Sequence, residues 1–144
     1  MTGADRPTRM KATARRDGGN FRHTVQVRDH QVVVDELHES GGQDTGPDPQ
    51  ELLAVSLASC TAITIEMYAV RKGWDMGPVE VEVEYSPAER GCPTKFQLVM
   101  RLPDDVPEEQ VERLRTIAAK CPVHRALDGE VMFLESIERV HMAT

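Results

Sequence analysis

Apolar and polar positions alternate strictly through "PVEVEVEYSP", residues 78–87, putting Val79, Val81, Val83 and Tyr85 on one face and Glu80, Glu82 and Glu84 on the other. That period of two predicts a strand with one buried and one wet face. "KFQLVMRL", residues 95–102, repeats it with Phe96, Leu98, Met100 and Leu102, and "GCPT" at 91–94 supplies the turn between them. Upstream, "MKATARRD" (10–17) alternates weakly, "GGN" (18–20) turns the chain, and "FRHTVQV" (21–27) and "QVVVDE" (31–36) read as two further short strands of a meander. The stretch "SGGQDTGPDP", residues 40–49, holds three glycines, two prolines and two aspartates and is a loop by composition.

The loop ends in a helix start. Asp48 can cap, Pro49 fits the first helical position, and Glu51 stands where a capping box needs an acid. The helix then runs to about Lys72, with Gly73 as a natural stop. It is apolar nearly all round (Leu52, Leu53, Val55, Leu57, Ala58, Ile63, Ile65, Met67, Val70). A helix of that kind needs cover on every side, more than one small sheet provides, so a partner subunit is expected. A second helix opens near Pro107 and carries Val111, Leu114, Ile117, Ala118 and Cys121 at helical spacing. Pro122 should break it, with a short helical segment restarting there and ending at Gly129, and "EVMFLESIERV" (130–140) reads as a last strand. The order predicts an α+β fold: antiparallel sheets packed on a long central helix and a second helix, in a single domain over 1–144 with residues 1–9 as a disordered tail.

Composition changes this picture little. The chain of 144 residues is 40% hydrophobic and 28% charged, and 17 basic against 24 acidic residues give −7. An acidic balance without a basic patch argues against a nucleic-acid surface, and no block of like charges marks a membrane-surface binder. The run at 52–70 has the length of a membrane span, but Glu66 lies in it with several Ser and Thr, so a buried core helix is the better reading. Residues 1–9 carry no apolar stretch of the kind a signal peptide has. Three cysteines, an odd number at wide spacings, do not form a secreted disulfide framework, and a reducing cytoplasm is expected.

Two of those cysteines bear on chemistry. Cys60 lies in the middle of the least polar run, and Cys121 stands directly before Pro122. Unpaired cysteines are commonly core fillers. A reactive one is a thiolate, favoured by a helix N-terminus or a nearby cation. Cys121 meets the first condition if a helix restarts at Pro122, with His124 and Arg125 close by; Cys60 would need a cation brought from elsewhere.

"GPDPQELLAVSLASCTAITIEMYAVRKGW" (46–74) together with "KCPVHRAL" (120–127) resembles the OsmC/Ohr family of osmotically induced and organic-hydroperoxide-resistance proteins. The likeness extends over most of the chain. It implies an intertwined α+β homodimer and, for the members that are enzymes, a thiol-dependent peroxidase for organic hydroperoxides with no metal, haem or flavin. Carried onto this sequence, Cys60 matches the peroxidatic cysteine, which becomes a sulfenic acid. Cys121 matches the resolving cysteine, which closes a disulfide for an external dithiol to reduce, a lipoylated protein in the family's pattern. Glu51 matches the glutamate that orients an active-site arginine. It stands about 13 Å along the helix from Cys60 and about half a turn round it, so it would serve the partner's thiol rather than its own. The equally open reading is that Glu51 only completes a capping box.

The sequence departs from the family's pattern twice. The loop before the helix holds no arginine, which leaves Arg22 first and Arg16 or Arg28 behind it. Thr61 follows Cys60 where the peroxidases carry an aromatic residue.

Two rival classes remain. Cys121 and His124 have metal-like spacing, with Cys60 and Cys92 as further ligands, but zinc sites announce themselves with two tight pairs and only one is present. Cys92, after a glycine in a turn, reads as an incidental exposed thiol. The other rival is a non-enzymatic dimer whose apolar pocket binds a small hydrophobic ligand, with the cysteines retained as packing.

Overall fold

The computed structural model describes residues 9–141. The expected N-terminal tail lies outside the described residues except for Arg9. The architecture is α+β. Three strands, β1 (Thr13–Arg16), β2 (His23–Val27) and β3 (His30–Val34), form an antiparallel meander, β1 pairing with β2 and β2 with β3. After a single 3-10 turn at His38–Ser40 comes the long helix α1 (Pro49–Lys72). Strands β4 (Glu80–Ser86) and β5 (Lys95–Arg101) pair in a second, two-stranded sheet, and helices α2 (Glu108–Ala118) and α3 (Pro122–Leu127) follow.

Two compact units divide the chain: one runs to Ala58 and includes Glu82–Val99, the other comprises Ser59–Val81 and the residues from Met100 on. In the first unit the loop before α1 is tied to the meander by one carboxylate. Asp35, 1% exposed, accepts hydrogen bonds from Thr45 Oγ1 at 2.6 Å, Thr45 N at 3.1 Å and Glu36 N at 2.7 Å. The Thr45 hydroxyl leads a set of donors that outweighs burial and holds the Asp35 carboxyl at about 2, below its ordinary range. The loop also crosses its own start so closely that a Cβ on Gly42 would collide with the Glu36 carbonyl, and only glycine fits there.

The second unit holds the larger core. Ile65 and Tyr68 of α1 pack with Leu114, Ile117 and Ala118 of α2, flanked by Trp74, Met76, Val79, Met100 and Leu102. Tyr68 meets Trp74 edge-on at 5.5 Å, and its hydroxyl accepts from Arg113 Nε at 2.8 Å. The alternation in β4 and β5 is realised position by position: Val81, Val83 and Tyr85, and Phe96, Leu98 and Met100, are partly covered while Glu80, Glu82 and Glu84 are exposed.

The last strand expected from the sequence does not form. Residues 130–140 belong to no strand, and Val131, Met132, Phe133, Leu134, Ile137 and Val140 are exposed, Leu134 at 89% and Ile137 at 94%. A strand is held by hydrogen bonds to a neighbour, and among the described residues this segment pairs with none of the five strands. Helix α1 is partly uncovered in the same way: Val55, Ile63, Met67 and Val70, on one side of it, are exposed. By length and hydropathy alone α1 would suit a membrane span, a test that core helices of water-soluble proteins also pass.

Candidate functional site

The break between α2 and α3 builds the site. Helix α2 closes on bonds from Lys120 N to Ile117 O (2.9 Å) and Cys121 N to Ala118 O (3.3 Å). Pro122, which has no N–H to extend it, opens α3 at the position where that donor is not missed. Cys121 is thereby the N-cap of α3, in extended conformation, and its sulfur accepts from His124 N at 3.3 Å. The first N–H groups of a helix have no intrahelical partner, and here a sulfur takes one. Cys121 is wholly buried.

Cys60, half-buried in α1, lies near enough for the Cys121 side chain to act on its thiol. Burial is the main influence on the Cys60 thiol and pushes it above its ordinary value, and the neighbouring Cys121 side chain pushes the same way. The Val123 backbone and the Thr64 hydroxyl pull in the opposite direction. The first turn of α3 thus reaches both sulfurs, through Val123 for Cys60 and through His124 for Cys121. Thr61, 0% exposed, adds a hydroxyl 4.0 Å from the Cys121 sulfur.

All these groups belong to the second unit. The Cys60–Cys121 neighbourhood was legible from sequence only as a family likeness, and the Val123 contact with Cys60 carried no sequence signal. Thr61 did leave one: it is the polar member of the otherwise apolar stripe Leu57, Thr61, Ile65, Tyr68.

The other predicted site residues belong to the first unit, each with local partners. Glu51 and Asp48 form a reciprocal capping box, Glu51 Oε1 accepting from Asp48 N at 2.9 Å and Asp48 Oδ1 from Glu51 N at 2.7 Å. Glu51 also borders an open hollow of about 520 Å³ with Asp48, Glu84 and Tyr85. Arg22 Nη1 bonds the Asp17 carboxylate at 3.1 Å and its carbonyl at 3.0 Å, bracing the β1–β2 turn together with Thr24 Oγ1, which donates to Asp17 at 2.7 Å. Arg16 ends β1, and Arg28 occupies the β2–β3 turn with a left-handed backbone, φ 53°. Cys92 is exposed in the β4–β5 connection, exchanging backbone bonds with Glu89 at 2.9 and 3.0 Å. Among the described residues no group of three His, Cys, Asp or Glu side chains converges as a metal site.

Comparison with known proteins identifies the family and the fold. A family model described as OsmC-like protein matches residues 41–134. No curated protein matches the chain. Among solved structures, an OsmC-like protein from Mycoplasma pneumoniae is 18% identical, with 87% of this chain and 89% of that one covered and a TM-score of 0.66. An organic hydroperoxide resistance protein OsmC from Legionella pneumophila is 21% identical, with 84% and 90% covered and a TM-score of 0.60. The organic hydroperoxide resistance protein OhrB of Bacillus subtilis is 22% identical, with 84% and 91% covered and a TM-score of 0.56. At these identities the likeness shows the fold.

Proposed function

The chain belongs to the OsmC-like protein family, and from that premise we propose that it is a thiol-dependent peroxidase that reduces organic hydroperoxides through Cys60 and Cys121. The observation that carries this reading is the pair of adjacent free thiols at the start of α3, one half-buried and one wholly buried. In the first step the Cys60 thiolate attacks the terminal peroxide oxygen. The O–O bond breaks, the alcohol leaves with a proton, and Cys60 becomes a sulfenic acid. In the second, Cys121 attacks the Cys60 sulfur, a disulfide forms and water departs. An external dithiol, such as a lipoylated protein in the cytoplasm, then reduces the disulfide by exchange.

Burial raises the Cys60 thiol, so a cation is needed to favour the thiolate. Arg22 is the first choice, with Arg16 and Arg28 behind it. Its bond to Asp17 is an exposed ion pair, worth about 0–1 kcal/mol, and so does little to hold it in place. Glu51, at the edge of its acidic hollow, would orient that arginine across a dimer. The dimer itself is supported by the uncovered face of α1 and the apolar segment 131–140, which a second copy would bury. Sedimentation of the full chain is expected to give twice the monomer mass; a monomer at micromolar concentration would remove Glu51 from the scheme.

One observation favours a second reading, a binding protein for a small hydrophobic ligand: an open hollow of about 510 Å³ lined by Phe21, Val25, Val34 and Leu52 in the first unit. Turnover separates the two. With cumene hydroperoxide and dihydrolipoamide, the wild-type protein is expected to consume peroxide and Cys60→Ser is not. Equal rates in the two would sink the peroxidase.

A further inference from the structure

The covered side of α1 repeats Leu57, Thr61, Ile65 and Tyr68, and one of the four is polar. Thr61 is 0% exposed. A hydroxyl closed off from water is costly unless it is hydrogen-bonded, and valine would fill the same volume with no such requirement. The hydroxyl points at a sulfur: Thr61 Oγ1 lies 4.0 Å from Cys121 Sγ, which also accepts from His124 N at 3.3 Å. Thr61 follows Cys60 in the chain, so the Cys60 thiol and the Thr61 hydroxyl leave α1 about 100° apart and both meet the Cys121 sulfur.

We propose that Thr61 is a positioning residue for disulfide closure, its hydroxyl donating to the Cys121 sulfur and holding it against Cys60 for attack. The proposal rests on the peroxidase reading and deepens it. In the closing step the Cys121 thiolate attacks the sulfur of the Cys60 sulfenic acid. The S–S bond forms, the S–O bond breaks, and hydroxide leaves, taking up a proton as water. The oxygen lost is the one acquired from the peroxide, so the two electrons come from the thiol pair and Thr61 is unchanged. Its contribution is to donate a hydrogen bond to the attacking sulfur where water does not reach and to keep that sulfur turned toward its target.

Packing alone would also place a threonine here, and two variants separate the roles. Thr61→Val keeps the volume and removes the donor; Thr61→Ser keeps the donor and removes a methyl group. Reduced protein is mixed with one equivalent of cumene hydroperoxide in the presence of dimedone, and the trapped Cys60 sulfenic acid and the Cys60–Cys121 disulfide are counted by mass spectrometry.

Loss of one hydrogen bond to a charged sulfur should raise the ratio of trapped sulfenic acid to disulfide about fivefold or more in Thr61→Val, with Thr61→Ser near wild type. An unchanged ratio in Thr61→Val, or equal slowing in both variants, overturns the proposal. If wild-type protein forms neither product, the peroxidase reading fails, and closure driven by the thiol oxidant diamide in the same variants then decides. Slow closure in Thr61→Val alone supports the Thr61 role, and wild-type closure there ends it.

Discussion

Cys92-Pro93 and Cys121-Pro122 are the same dipeptide with opposite fates. Cys92 follows Gly91, whose backbone is left-handed at φ 81°, and lies exposed in a turn closed by two backbone bonds to Glu89. Cys121 follows a helix whose Leu114, Ile117 and Ala118 are fixed in a core, and it is wholly buried. The proline does the same thing in both places: it withholds an N–H. What differs is the sequel. After Pro93 the chain enters β5, and the thiol has no helix to cap. After Pro122 it enters α3, whose first N–H groups are directed at sulfur. A cysteine before a proline is therefore not a site in itself; the helix after it and the packed helix before it make it one.

Removing each thiol gives the largest test of that contrast. Cys121→Ser and Cys60→Ser are expected to lower dithiol-supported hydroperoxide turnover by about 100-fold or more, the scale on which losing a catalytic group acts. Cys92→Ser should leave it within a factor of about two, since surface substitutions rarely matter. Equal losses in all three variants would erase the distinction.

Next in size is the support beneath Cys121. Leu114 is 1% exposed, and Leu114→Ala should cost about 2–5 kcal/mol in urea unfolding. Pro93→Ala, beside the exposed thiol, should stay within about 0.5 kcal/mol. A Leu114→Ala cost under about 1 kcal/mol would mean that the α1–α2 core does not hold the site.

A smaller effect is the order of labelling. Iodoacetamide on reduced protein near neutral pH should modify exposed Cys92 first, then half-buried Cys60, whose thiol is pushed up, and Cys121 last. Peptide mapping against time reads the order, and early labelling of Cys121 would contradict its burial.

Acid gives a further check, one that bears on the loop before α1. Asp35 is held at about 2 against an ordinary 3.8, so its contribution to stability is complete above pH 3.8 and drains away as pH falls toward 2. Asp35→Asn should flatten that part of the acid-unfolding curve; a curve identical to wild type would show that the carboxylate does not fasten the loop.

Much of this was legible in the chain because its causes are local. The Asp48–Glu51 capping box, the stop at Gly73, the Val-Glu alternation of β4 and the break at Pro122 each depend on residues within a few positions of one another, and each appears where the pattern put it. The failures are non-local. The apolar residues of 130–140 show which positions want cover and not what covers them, and among the described residues the segment pairs with no strand. The donors reaching Cys60 from Val123 and Cys121 from Thr61 link elements far apart in sequence, and only the stray hydroxyl in an apolar stripe hinted at one of them.

The central claim is that Cys60 and Cys121 form one reacting pair and Cys92 stands outside it. Peptide mapping of reduced wild-type protein after one equivalent of an organic hydroperoxide tests this directly. The account predicts a loss of about two mass units, a Cys60–Cys121 linked peptide and a free Cys92 thiol. A linkage through Cys92, or three unmodified thiols after prolonged exposure, would contradict it.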